Sequence, residues 1–81
     1  MKRPILEQVF SDGGAEREDD VIVLPKSIVG SVYVSIGVEA LIIDRVTRLR
    51  LHSEIVMVDT SRKEQYAVAY EDIRAIRFVA D

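Results

Sequence analysis

The chain has no cysteine, no tryptophan and no asparagine, and its one histidine is His52. Without cysteine, neither disulfides nor thiolate-bound metals are available to reinforce a small core. A lone histidine leaves only carboxylates as fellow ligands, and Glu54, two residues on with the same strand parity, is the nearest candidate. A transition-metal site normally wants a second histidine or a tight carboxylate cluster, so His52 reads as a surface or interface residue. No cofactor is expected. Long apolar runs are also missing: nothing approaches the roughly 18–20 residues of a membrane helix. The start, MKRPILEQVFSDGG, has the basic residues of a signal peptide. Glu7 and Gln8 break its apolar part, however, and no small-residue cleavage site follows. A cytoplasmic protein with no membrane partner is the expectation.

The motifs of common chemistries are absent too. No G-x-S-x-G holds a serine on a sharp turn, and Ser27, Ser31, Ser35, Ser53 and Ser61 sit in ordinary strand or turn contexts. Gly13-Gly14 lacks both the lysine-serine/threonine of a P-loop and the spaced glycines of a dinucleotide site. Asp19-Asp20 and Glu71-Asp72 are adjacent pairs. Strand neighbours point to opposite faces, so adjacency does not build a catalytic dyad. Glu71-Asp72 is expected to supply side-chain acceptors for a turn before Ile73. The chain is not expected to be an enzyme.

What is present is apolar content. Of 81 residues, 48% are hydrophobic, in a chain too short for a second core. Domains this small are marginally stable alone, and self-association is the supplement left open. Net charge is −3, which does not suit a general phosphate-neutralising binder. Residues 11–20, SDGGAEREDD, hold five acids against Arg17, a local −4, so the remainder is +1. Residues 1–20 are therefore read as a short helix and an acidic loop, and 21–81 as one barrel domain. The loop is expected to be mobile. It is either a solubility device, a site for a basic partner, or a strap over basic residues of its own or a neighbouring subunit.

Periodicity supplies the fold. Pro4 followed by Ile5, Leu6, Val9 and Phe10 at helical spacing predicts a short N-terminal helix. Val21 to Leu24, stopped by Pro25, reads as an edge strand. From Ile28 to Val38 one parity is apolar, the mark of a strand with one buried face, and Gly30 and Gly37 suggest a bulge or sharp bend near its ends. Glu39–Ile43 and Ile55–Val58 are apolar on both parities, as in strands covered on both faces. Leu49 and Leu51 alternate with Arg48, Arg50 and His52, which places leucines inward and the basic residues outward. The expected class is mainly β, a small antiparallel barrel of about five strands. The alternative is an α+β fold with a C-terminal helix over 62–79. Ser61 to Glu64 matches a capping box, and Tyr66, Ala69, Tyr70, Ile73 and Ile76 fall at helical spacing. Tyr66, Val68 and Tyr70 at period two favour strands.

The order of elements from Ser31 to Val79 resembles Sm-like barrels, the ring-forming RNA-associated family, and QYAVAYEDIRAI resembles the end of PRC-barrel domains. The resemblance implies a small barrel that assembles with copies of itself. It does not carry over the Sm family's RNA site, which uses asparagine and an arginine-glycine pair. This chain has no asparagine, and none of its arginines precedes glycine.

Arg45, Arg48, Arg50, His52, Arg62 and Lys63 form the one basic concentration. If Arg48, Arg50 and His52 share a face, they make a stripe about 14 Å long, because alternate strand residues repeat at about 7 Å. The stripe is either a solvated face paired with Glu54, Asp59 and Glu64, or a contact for phosphates or an acidic peptide. Tyr33, Tyr66 and Tyr70 are candidate base-stacking residues or, more simply, core caps. The leading expectation is a non-enzymatic, self-associating adaptor or regulator with itself and an unidentified protein as partners. The alternative is RNA or single-stranded nucleic-acid binding through the arginine face.

Overall fold

The computed structural model describes all 81 residues. Its elements are helix α1 (Arg3–Asp12) and strands β1 (Glu16–Glu18), β2 (Val21–Val23), β3 (Ile28–Ile36), β4 (Glu39–Leu51), β5 (Ile55–Thr60), β6 (Gln65–Ala69) and β7 (Ile73–Ala80), with a single 3₁₀ turn, Tyr70–Asp72, before β7. All strand pairs are antiparallel, and the sheet curls into a half-barrel. Five strands run in the order β6-β5-β4-β3-β7, and the β1–β2 hairpin joins through β2 to β4. The fold is mainly β with one short N-terminal helix, as the periodicity predicts. No helix is long and apolar enough to cross a membrane.

β4 is the spine of this arrangement. Its first half, Glu39–Val46, pairs with β3, and its second half, Val46–Leu51, pairs with β5. One strand can serve both halves only if it bends. Opposite the single residue Ser31 stand two residues of β4, Asp44 and Arg45, which is a β-bulge. Arg45 takes the left-handed conformation (φ 55°). Asp44 Oδ1 holds the bend, accepting from Ser31 Oγ at 2.7 Å and from the Arg45 N–H at 3.0 Å. Those two hydrogen bonds, Ser31 first, keep the Asp44 carboxyl below the usual carboxylate range. A second register shift follows at Thr47. The bend expected from Gly30 falls opposite this bulge. There the missing Cβ makes room for Leu24 Cδ1, which would lie 2.6 Å from it. Gly37 turns the β3–β4 hairpin with φ 61° while Val38 stays negative, the pattern of a type II′ two-residue turn.

The inward parities meet in one core. Val32 and Val34 of β3, Ile43, Val46, Leu49 and Leu51 of β4, and Val56 and Val58 of β5 are buried, as are Leu6 and Phe10 of α1. The helix thus covers the open concave side, which a half-barrel of this size leaves otherwise bare.

Several expectations are corrected. The acidic segment is an ordered hairpin, not a loop. Glu16–Glu18 pairs with Val21–Val23, and Glu7 ties it to the helix through Arg17. Val21–Val23 is not an edge strand, because β1 and β4 flank it. The helix over 62–79 does not form. The cap-like bonds of that stretch are made by Thr60 with Glu64 across a hairpin turn, Glu64 N–H to Thr60 Oγ1 at 3.2 Å. The turn before Ile73 is closed by the backbone, Ile73 N–H to Tyr70 O, with no side-chain acceptor from Glu71 or Asp72. Glu39–Ile42 is exposed where cover on both faces was expected.

Helix end and barrel meet at Gly13, where close approach leaves no space for a side chain. A Cβ there would lie 2.6–2.9 Å from three atoms of the Phe78 ring, which packs edge-to-face on Phe10 with centroids 5.3 Å apart. Gly13→Ala is expected to destabilise the fold by about 1–3 kcal/mol in denaturant titration. Combining it with Phe78→Leu should cost less than the two single effects added together. Strict additivity would show that the ring is not what excludes the methyl.

Candidate interaction surface

The arginine stripe exists on the outer face of β4, but its charge is already engaged. Arg48 Nε donates to Asp59 Oδ2 at 2.8 Å. Arg50 donates through Nε to Oδ2 at 3.1 Å and through Nη2 to Oδ1 at 2.8 Å. Register explains the meeting, since Asp59 of β5 stands directly across from Arg48. Asp59 is only 7% exposed. Burial by itself would raise its carboxyl, yet the hydrogen bonds from Arg50 and Arg48 outweigh that and hold it below the ordinary range.

The other predicted residues scatter. Lys63 lines one shallow outer groove with Arg48, and Asp59 and Glu64 line the same groove. Arg45 sits in the β4 bulge and Arg62 in the β5–β6 turn, and both act on Asp44. His52 lies at the far end of β4, just past Leu51. Its backbone carbonyl accepts from Tyr70 Oη at 2.7 Å and Arg3 Nη1 at 3.0 Å, while its side chain is exposed. Tyr70 is therefore a core cap, not a stacking platform. The acidic hairpin does not strap the stripe. Its ion pairs run from Asp20 to Arg3 and Arg17, and from Arg17 to Glu7. No three His, Asp or Glu side chains converge to hold a metal ion, and no buried side-chain donor or acceptor lacks a partner.

Sequence reasoning missed the two features that stand out once the chain is folded. The first is a set of open sheet edges. β6 pairs only with β5 and β7 only with β3, so each has one edge with no partner strand; β1, which pairs only with β2, is a third edge, but it is three residues long and charged throughout. The second is exposed apolar surface on the β3–β4 hairpin. Ile36 is 61% exposed, Ile42 58% and Val38 fully. The apolar parity of Glu39–Ile43 carried that signal. Which faces stay uncovered depends on where β5 and β7 stop, and no local pattern encodes that.

Comparison with protein-family models, curated proteins and solved structures finds no match to this chain.

The Asp59 cluster makes stability sensitive to acid. A carboxyl held below its unfolded value contributes fully above that value, about 3.9, and the contribution is lost as pH falls through the lower folded value. Asp59→Asn should lower stability at pH 7 by about 1–3 kcal/mol. It should also weaken the fall in stability below about pH 5. Thermal melts of both proteins from pH 7 to pH 3 measure this. Parallel curves would mean that the arginines do not depend on the carboxylate.

Proposed function

We propose that this chain is a non-enzymatic β-barrel module that assembles with copies of itself and serves as an adaptor or regulatory platform. The observation that carries the reading is the half-barrel with its two longer edge strands, β6 and β7, open; the third edge, β1, is three charged residues long and blunted. An unpaired edge is an invitation to strand addition, and soluble proteins normally blunt, cover or pair it. Here β6 and β7 lie at opposite ends of the five-strand order β6-β5-β4-β3-β7, so pairing β6 of one copy with β7 of the next leaves the pair with one edge of each kind to extend from. Such heterologous contacts close into a ring when the rotation per subunit permits. That arrangement is what the resemblance to Sm-like barrels implies, and the sheet order supports it independently.

One further fact supports it. A cysteine-free chain of 81 residues has a small core and no cross-link, and an interface would add to its stability. Nucleic-acid binding through Arg45, Arg48, Arg50, His52, Arg62 and Lys63 has less support. Asp59 engages Arg48 and Arg50, Arg45 and Arg62 lie near the Asp44 carboxylate, and His52 stands apart at the far end of β4.

Light scattering at micromolar concentration tests the proposal. The expected mass is a multiple of 9.1 kDa. A single species at 9.1 kDa across that range would remove the reading.

A further inference from the structure

Of eight large apolar side chains left exposed, six lie in two places. Four are on the β3–β4 hairpin: Ile36, Val38, Leu41 and Ile42. This hairpin projects past the rest of the sheet. β7 begins at the Val34–Ile73 pair, whereas β3 and β4 continue through Ser35–Ala40 and Ile36–Glu39 to the turn. The other two, Ile5 and Ile55, line a groove of about 970 Å³ between the start of α1 and the β5–β6 hairpin. Ala69 and Tyr70, at the end of β6, line it as well.

We propose that the apolar tip of the β3–β4 hairpin of one copy packs into the α1–β5–β6 groove of the next copy. This rests on the head-to-tail pairing of β6 with β7 proposed above and identifies what stands beside that pairing. Strand direction supplies the argument. Antiparallel pairing brings the C-terminal end of β6, at Ala69, toward the N-terminal end of the neighbour's β7, at Ile73. The neighbour's hairpin tip extends past that end of β7, and the groove opens past that end of β6. The two apolar surfaces therefore fall on the same side of the join.

Charge agrees with this placement. The projecting side carries Glu39 on the hairpin and Arg74 at the start of β7, both exposed. The groove side carries Lys2 to meet the acid, and Glu54 and Glu71 to meet the base. The turn itself is narrow, two residues with Gly37 at its corner, so Ile36 and Val38 enter without a bulky loop around them. A second copy is favoured over a lipid surface because the hairpin bears an acid and no lysine or arginine between Ile36 and Ile43.

The absence of native cysteine makes a direct test available. The double variant Val38→Cys with Ile55→Cys, mildly oxidised, should give a ladder of covalent multimers. Neither single variant should cross-link. Dimers from Val38→Cys alone would mean that tips pack on each other, and would overturn the proposal. So would the lack of a ladder when the wild-type protein has an oligomeric mass. A wild-type monomer would instead refute the underlying head-to-tail reading.

Val38→Asp adds a second arm. Val38 is fully exposed, so this change leaves the protomer fold intact, and it is expected to weaken assembly at least about tenfold, by replacing an apolar contact to Ile5 and Ile55 with a charge that must be desolvated there. Unchanged assembly would overturn the proposal.

Discussion

The bend in β4 is the constraint from which the rest of the molecule follows. A 13-residue strand that stayed straight would belong to one sheet and leave β5 and β6 without a curved surface to close over. The two-residue bulge at Asp44–Arg45, fixed by a carboxylate that accepts from Ser31 and from the Arg45 N–H, turns the strand between β3 on one half and β5 on the other. Curling the sheet in this way creates a concave side, and a concave side needs a lid. The helix supplies it with Leu6 and Phe10, both almost completely buried. The Arg3–Glu7–Arg17–Asp20 ion pairs then bind the helix to the β1–β2 hairpin, which is itself anchored on β4.

The same bend leaves work undone. Five antiparallel strands curled around this core do not bring β6 and β7 together, and the two strands end the sheet as open edges. The chain places few of the usual deterrents there. No proline lies in either strand, and no lysine occupies β6 or β7. The apolar tip of the β3–β4 hairpin adds a second uncovered surface near the start of β7. On our reading these are two parts of one surface, the first supplying backbone pairing and the second side-chain burial.

Much of the fold was legible in the sequence because it rests on local patterns. Pro4 with its apolar spacing marks α1, alternation from Ile28 marks β3, and Leu49 and Leu51 face inward as their parity requires. The stretch 62–79 was ambiguous because Tyr66, Ala69, Tyr70, Ile73 and Ile76 fit a helix and a strand-turn-strand about equally well. Tertiary pairing with β5 and β3 decided it. The acidic segment was misread for a different reason. Composition alone suggests a solvated loop, but Arg3 of the helix offsets part of the charge by pairing with Asp20, Arg17 bonds back to Glu7 of the helix, and Ile22 buries itself opposite Leu49 across the β2–β4 pair. The arginine stripe was found correctly as a row of outward residues. The sequence offers Glu54, Asp59 and Glu64 as its partners without choosing among them, because register across two strands, and not spacing along one, selects Asp59.

The central claim is that neighbouring copies complete the half-barrel at β6 and β7. Backbone hydrogen exchange, resolved by residue and measured at two protein concentrations, tests it most directly. The account predicts slow exchange of the outward-facing amides of β6 and β7 in concentrated solution. Those amides should lose protection on dilution, while the amides of β5, paired on both sides within one copy, stay protected. Fast exchange of the β6 and β7 edge amides at every concentration would contradict it.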